Sequence, residues 1–139
     1  MMMLYIAEVY GKIKPGVSKN PKSRILSYDR GNNNPMIHYL YVAEEGYDEH
    51  IKNCENHLMH QLLEYFENPN GSHKPSEYID PVHTHVTAKY VSKIVSKRIK
   101  SHPLKIKRVK DVFLPIDRYN VATLLTGIKN FPNKYLEDI

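Results

Sequence analysis

Clusters of apolar and β-branched residues predict three strands in the first third of the chain. The stretch "MLYIAEVY" (3–10) favours a strand, and Gly11 interrupts it before "KIK" resumes. Two short strands joined around Gly11 therefore form a predicted hairpin. Pro15 has no N–H to donate to a ladder, so the second strand should be an edge strand or end there. The densest run of strand-forming residues, "MIHYLYVAEE" (36–45), predicts the third strand.

A short helix is predicted over 21–29 by the residues at its two ends. Asn20 is a favourable N-cap, and Pro21 suits the first helical position because its missing N–H has no helical partner there. Gly31 is a typical residue to stop the helix.

The remainder of the chain alternates between helical and extended patterns. Residues 47–67 predict the longest helix, with acidic residues in its first turn. Residues 86–100 place apolar side chains at helical spacing among basic ones: Val91, Ile94, Val95 and Ile99. The 103–115 segment alternates apolar and basic residues, which indicates a strand or extended arm, and 117–128 predicts a final helix.

This order of elements predicts an α+β fold with a small three-stranded antiparallel sheet flanked by helices. A chain of 139 residues has the length of a single domain. We place the strand-rich part at 1–80 and a basic helical and extended segment at 81–139, and we expect the second part to pack on the first.

Composition narrows the class of protein and its compartment. Apolar residues make up 41% of the chain and charged residues 25%, as in an ordinary globular protein. No apolar run approaches the roughly 20 residues that span a bilayer, and the start lacks the basic region of a signal peptide. Cys54 is the single cysteine, which excludes an intrachain disulfide. We therefore expect no membrane association and a cytoplasmic location.

Charge is distributed unevenly along the chain. Residues 81–110 hold nine Lys and Arg residues and no acidic residue, whereas 1–80 and 111–139 are both slightly acidic. Such a block attracts a polyanion, and nucleic acid is the first candidate partner, although a solvated helix face gives the same pattern. The candidate DNA-binding residues are Lys89, Lys93, Lys97, Arg98, Lys100, Lys105, Lys107 and Arg108.

Glu55 occupies an unexpected position on the 47–67 helix. At about 100° per residue, Glu55 lies about 40° from Ile51, in the middle of a stripe with Leu58, Leu62 and Phe66. A carboxylate on a core-facing stripe is unfavourable unless it is paired, protonated or bound to a cation. A buried ion pair with Lys or Arg and a metal ligand at the floor of a cleft both account for it.

A second group of polar residues converges near the predicted hairpin. Arg24 and Tyr28 are four residues apart on the short helix and share one face. Together with Tyr5 on the first strand and Lys14 on the second, they can assemble a phosphate site. Tyr and Lys can orient or deprotonate a water, and Arg can bind the scissile phosphate.

These motifs resemble the GIY-YIG endonuclease superfamily, in particular its phage and viral members. In "LYI", Tyr5 matches the tyrosine of the first family motif, and "GKIKPGVSKNPKSR" matches the second motif through Gly16, Ser18 and Arg24. In "ENHLMHQL", Glu55 matches the metal-binding glutamate of the family helix, with the histidine one residue late. "SEYI" (76–79) is similar to a step that follows this helix in viral members. The resemblance covers about residues 3–80.

The resemblance implies a divalent-metal-dependent hydrolase that cleaves phosphodiester bonds of DNA. The catalytic residues would be Tyr5, Lys14, Arg24, Tyr28 and Glu55, and Glu55 would bind Mg²⁺ or Mn²⁺. Tyr5, assisted by Lys14 or Tyr28, would activate a water, and a Lys14 ammonium nearby would favour a Tyr5 phenolate. The 81–139 segment would dock the DNA, and a double-strand cut from one site would require a homodimer or two visits.

The chain departs from the family pattern at several positions. Met3 stands where the family has its first glycine, and Lys14-Pro15-Gly16 replaces Tyr-Ile-Gly. Lysine at the second tyrosine position is found in some restriction-type members. An asparagine beyond the glutamate helix often completes the site, and both Asn68 and Asn70 are candidates.

Two other classes of protein remain open. A catalytically inactive nucleic-acid-binding module of the same fold is favoured by Pro15 and the missing glycine. A zinc protein would use Cys54 with histidines of the same helix, His57 and His60, or of "HTH" (83–85), His83 and His85. A lone cysteine with scattered histidines is a poor zinc pattern.

Overall fold

A computed structural model describes residues 1–28, 35–68, 76–116 and 132–139 of the chain. It begins with the predicted hairpin, in which β1 (Met3–Val9) pairs antiparallel with β2 (Lys12–Ser18). The two turn residues, Tyr10 and Gly11, have φ values of 55° and 72°. Positive φ at both positions is the geometry that joins two strands through a two-residue turn without splaying them.

Pro15 lies inside β2, and β2 is the edge strand of the sheet. The backbone N–H of Ile13 points outward and donates to the carbonyl of Ile79, at 2.8 Å. Residues two apart in a strand direct their N–H groups to the same side, so the missing N–H of Pro15 also faces away from β1. The edge position predicted from Pro15 is confirmed, and the strand continues through it.

The predicted short helix forms as α1 (Pro21–Leu26) and is shorter than expected. The side chain of Asn20 accepts a hydrogen bond from the Ser23 N–H, at 3.3 Å, and so caps the first turn. Gly31, predicted as the stop residue, lies outside the described residues.

The two long helices follow the predicted apolar patterns. After β3 (Met36–Ala43) comes α2 (Asp48–Leu62), extended by a 3₁₀ turn at Leu63–Tyr65. A four-residue helix, α3 (Pro81–Thr84), precedes α4 (Ala88–Ser101).

The fold is α+β as predicted, but the sheet of the described residues has six strands rather than three. The 103–115 segment supplies β4 (Ile106–Val109) and β5 (Leu114–Pro115), both antiparallel to β3. The last strand, β6 (Leu136–Glu137), pairs with β4. The order is β2-β1-β3-β4-β6, and β5 lies off this path, paired with Met36 and Ile37 of β3. The predicted helix at 117–128 lies outside the described residues.

Both faces of the sheet are covered by apolar side chains. On one face, Leu4 and Ile6 of β1 pack with residues of α2 and α4; on the other, Met3 and Tyr5 pack with Ile25 of α1. Side chains of a strand alternate between faces, so β1 contributes to both cores. Residues of 81–139 therefore belong to the same packed unit as the hairpin.

No helix within the described parts of the chain is both long enough and apolar enough to cross a membrane.

Candidate active site

Tyr5 and Lys14 lie on the same face of the hairpin. Tyr5 is the cross-strand partner of Gly16, and Lys14 is the partner of Ala7. A Cβ atom at Gly16 would lie less than 3.0 Å from ring atoms of Tyr5. The Tyr5 ring therefore lies across the backbone of Gly16, which only glycine permits.

Tyr5 is held as a neutral phenol. The side chain is 1% exposed, and burial raises the pKa of its hydroxyl, with a further rise from Tyr28 that outweighs the opposing effect of Arg24. This direction is opposite to the one expected for a Tyr5 phenolate, because desolvation outweighs the effect of the Arg24 charge.

Lys14 is a buried cation with one carboxylate partner. The residue is 4% exposed, and its Nζ lies 3.3 Å from Oε2 of Glu77. Burial lowers the pKa of the Lys14 ammonium, and the Glu77 carboxylate opposes that change. A lysine whose pKa is lowered releases and accepts a proton more readily near neutral pH.

The ring of Tyr28 lies close to both cations of the site. Its ring centroid is 5.1 Å from Nζ of Lys14 and 5.4 Å from the guanidinium carbon of Arg24. Both distances are within the range of cation–π contacts. Tyr28 follows the end of α1, where its N–H donates to the Ile25 carbonyl at 3.0 Å. The predicted pairing of Arg24 with Tyr28 is therefore present, and the Arg24 side chain is exposed at the mouth of the site.

Glu55 lies at the border of the apolar stripe of α2 rather than in its centre. The buried positions of α2 are Ile51, Cys54, Leu58 and Leu62, and Glu55 is half-buried. Burial raises the pKa of the Glu55 carboxyl, and the negative charge of Glu77 raises it further. No ion pair joins Glu55 to another described residue. The buried ion pair considered for Glu55 is therefore not found among them.

Glu77 belongs to this site but was not among the predicted catalytic residues. Its backbone has a φ of 63°, which is uncommon for a side chain other than glycine or asparagine. It is followed by Tyr78, whose ring centroid is also 5.1 Å from Nζ of Lys14. The sequence signal for Glu77 is the segment "SEYI" (76–79), which follows the glutamate helix in the resemblance. The predicted roles do not include its carboxylate.

The two carboxylates are a donor set that suits a hard divalent cation. The negative charge of Glu77 acts on Glu55, and a cation bound at Glu55 would offset that repulsion. Mg²⁺ commonly takes one or two protein carboxylates together with substrate phosphate oxygens. The described residues contain no group of three or more His, Cys, Asp and Glu side chains placed to hold a metal ion.

The cysteine considered for zinc packs in the core. Cys54 is buried among apolar residues of α2, and this burial raises the pKa of its thiol to about 11. A thiol in this state is a poor metal ligand, since the thiolate is the form that binds. Asn68 is exposed, and Asn70 lies outside the described residues.

Five of the eight predicted DNA-binding residues line one groove between α4 and the sheet, named here the basic groove. Lys89, Lys93, Lys97 and Lys100 border it from the helix, and Arg108 borders it from β4. Its volume is about 470 Å³, and Tyr39 and three serines complete its lining: Ser92, Ser96 and Ser101. The helical spacing of the four lysines does place them on one face, as predicted.

The other three predicted residues lie elsewhere. Arg98 faces α2, where its Nε donates to Oδ1 of Asn53 at 3.1 Å. Lys107 alternates with Arg108 along β4 and lies 3.8 Å from a carboxylate oxygen of Asp138. Lys105 is exposed just before β4 and outside the groove.

Comparison with known proteins finds no family model, no curated protein and no solved structure that matches this chain. The GIY-YIG resemblance stays a prediction based on motifs.

Proposed function

We propose that the chain is a divalent-cation-dependent endonuclease that hydrolyses phosphodiester bonds of DNA, of the GIY-YIG type. The observation that carries this proposal is the convergence of six polar side chains from distant segments of the chain on one place at the edge of β2. They are Tyr5, Lys14, Arg24, Tyr28, Glu55 and Glu77. An apolar core gains nothing from gathering two cations and two carboxylates, whereas phosphoryl transfer uses all four.

Arg24 and Lys14 have separate roles in this proposal. Arg24 is exposed and always charged, and its guanidinium binds the scissile phosphate and stabilises the charge that develops on it. Burial lowers the pKa of the Lys14 ammonium, which favours loss of its proton and use of the resulting amine to accept the proton of the attacking water. The water oxygen then bonds to phosphorus, and the 3′ oxygen leaves.

The two tyrosines position these groups. Tyr5 keeps its proton, so its hydroxyl donates a hydrogen bond to the water or the phosphate instead of acting as the base. The Tyr28 ring contacts both the Lys14 and the Arg24 side chains and so fixes their positions.

Glu55, with Glu77 beside it, is the residue that would hold Mg²⁺ or Mn²⁺. When bound, the ion supplies Lewis-acid stabilisation of charge on the phosphate and the leaving oxygen. The basic groove supplies electrostatic contacts to phosphates away from the site of cleavage.

An inactive nucleic-acid-binding module is the second candidate, and two observations favour it. The Tyr5 hydroxyl is buried, and Lys14 is already paired with Glu77 in the absence of substrate. A module of this kind needs the basic groove but makes no use of Glu55.

Cleavage of supercoiled plasmid in Mg²⁺ separates the two candidates. We expect the wild type to convert the plasmid to nicked or linear DNA, and Glu55→Ala to reduce the rate at least about 100-fold because the cation is lost. Glu64→Ala, an exposed carboxylate beyond the end of α2, is the matched control and should cleave as the wild type does.

All variants are compared for folding by circular dichroism and for plasmid binding in EDTA. Binding without cleavage by the wild type would support the inactive module. Loss of DNA binding in Glu55→Ala would contradict a metal role for this residue.

A further inference from the structure

An aromatic pocket adjoins the basic groove on the α4 side of the sheet. Phe113 is 63% exposed, and its ring lies 5.5 Å from that of Tyr39 and 6.1 Å from that of His38, centroid to centroid. These rings line a cavity of about 550 Å³. Tyr39 and Lys89 line both this aromatic pocket and the basic groove, so the two are continuous.

The chemistry of the surface changes along this continuous path. The basic groove follows α4 from Lys89 to Lys100, about 16 Å at 1.5 Å per residue, and suits a row of phosphates. The aromatic pocket contains a carboxylate, Glu8, whose Oε1 lies 3.5 Å from Nε2 of His38. Apart from Lys89 at the border with the groove and Thr87, the rest of its lining is aromatic or aliphatic. A carboxylate repels phosphate but accepts hydrogen bonds from base N–H groups, so the pocket suits a nucleobase.

A base can enter this pocket only if it is not stacked on its neighbours. In a duplex, the bases are paired and stacked inside, and phosphates face the protein. Proteins that bind single strands combine a basic groove with exposed aromatic rings on which bases stack, in sites of about 4–16 nucleotides.

The position of the candidate active site also favours a single strand over a duplex. Tyr5 and Lys14 lie on the opposite face of the sheet from α4, and the path between the faces passes the edge of β2. At that edge Ile79 pairs with Ile13, which also lines the aromatic pocket, and Glu77 is two residues earlier. A duplex with a persistence length of about 150 bp does not turn around one strand, whereas a single strand does.

We propose that the basic groove and the aromatic pocket bind single-stranded nucleic acid, with a base stacked on Phe113. The strand then turns around the edge of β2 towards the candidate active site. Only this last step rests on the proposed nuclease function, since binding in the groove requires neither the metal ion nor cleavage.

Fluorescence anisotropy with labelled DNA in EDTA tests the proposal directly. We expect a single strand of about 12 nucleotides to bind at least about tenfold more tightly than a duplex of that length, at the same salt concentration. Phe113→Ala should weaken single-strand binding about tenfold and leave duplex binding unchanged. Tyr90→Ala is the control, because Tyr90 is an exposed aromatic residue of α4 that faces the α2 side.

A second pair of variants keeps the test valid if Phe113→Ala does not fold. Replacing Lys93 and Lys100 by Gln should lower the slope of log K against log salt by about 0.7 for each lysine. Replacing Lys105 and Lys107 by Gln removes the same charge outside the groove and should leave the slope unchanged. A preference for duplex, or equal effects of the two lysine pairs, would overturn the proposal.

Cleavage is then measured separately with the same variants. Single-strand binding by a protein that does not cut would leave this proposal standing and refute the nuclease. Cleavage of plasmid with no preference for single strands would do the reverse.

Discussion

Gly16 is the residue on which the position of Tyr5 depends. The Tyr5 ring occupies the space that any Cβ at Gly16 would need, and the ring itself is enclosed in the core. Both the geometry of the site and the packing of the hairpin therefore depend on the absence of a side chain at Gly16.

We predict that Gly16→Ala lowers the free energy of unfolding by about 1–3 kcal/mol, because the ring must leave its place in a packed core. Cleavage should fall with it, as Tyr5 moves. Urea unfolding measures the first effect. The matched comparison is Gly16→Ala in a Tyr5→Leu background, where the smaller side chain leaves room and the added cost should be smaller. Additive effects would show that the two residues are not in contact.

Glu55 should make the folded protein less stable at neutral pH than it is with a neutral side chain there. Burial, and then Glu77, raise the pKa of Glu55 in the folded state. The folded protein therefore holds this proton more tightly than the unfolded chain does. The stabilisation from this bound proton is complete below the unfolded pKa and is lost as the pH rises through the folded pKa.

We therefore predict that Glu55→Gln stabilises the metal-free protein at about pH 8, and that the difference disappears below about pH 4. The gain should stay below about 1 kcal/mol, since a half-exposed carboxylate is screened by water. Urea unfolding in EDTA at the two pH values measures it. Glu45→Gln, at an exposed turn, is the control, and a destabilised Glu55→Gln would argue that this carboxylate is a structural group.

At the scale of elements, β2 is both the edge strand of the sheet and the strand that carries Lys14 of the candidate active site. The outward N–H of Ile13 is used by Ile79, and the equivalent group at Pro15 does not exist. A strand edge without a donor is also protected against pairing with another chain. The departure from the family pattern at Pro15 is therefore compatible with an intact hairpin.

We predict that Pro15→Ile changes the cleavage rate by less than about threefold, because the substitution adds a donor on the outer side and leaves the β1 pairing as it is. It should instead increase self-association of the protein, measured by light scattering at several concentrations. Pro35→Ile, at a proline outside the hairpin, controls for the general effect of removing a proline. A large gain in cleavage would show that Pro15 distorts the site.

Local patterns predicted the elements that depend on neighbouring residues in the chain. The hairpin around Gly11, the capped start of α1 and the apolar stripe of α4 were all found. Contacts between distant residues were missed. The Lys14–Glu77 pair joins positions 63 residues apart, and the pairings of β4 and β6 join segments that no periodicity connects.

The residues of the candidate site also divide into one indicated by a local pattern and one that no local pattern indicates. Glu55 stood out because it interrupts an apolar stripe, which is a local signal, and its placement at the border of that stripe depended on which way α2 rotates against the sheet. Glu77 lies in an irregular segment with a left-handed backbone, where no pattern indicates the direction of a side chain.

For the whole molecule, the division of the chain at residue 80 does not coincide with a break in the core. Val91, Val95 and Ile99 of α4 share one apolar cluster with Leu4 and Ile6 of β1. Buried side chains in one cluster unfold together in a small domain.

We predict that a chain ending at residue 80 has no cooperative unfolding transition, since it leaves one face of the sheet exposed to water. Circular dichroism during heating measures this. In the full chain, Val91→Ala should lower the free energy of unfolding by about 2 kcal/mol and preserve a single transition. Cooperative unfolding of the 1–80 chain would mean that the two parts are separate domains.

The burial of Tyr5 also bears on how such a protein would change during evolution. Tyr5 fills the core and lies across Gly16, so its loss is costly whether or not the protein cuts DNA. Arg24 is exposed, so its replacement costs little stability. The Glu77 side chain is 58% exposed, but it is the carboxylate partner of the buried Lys14, and its loss would leave that cation unpaired. A descendant under no selection for nucleic-acid cleavage would thus keep Tyr5, Gly16 and Glu77 and drift first at Arg24.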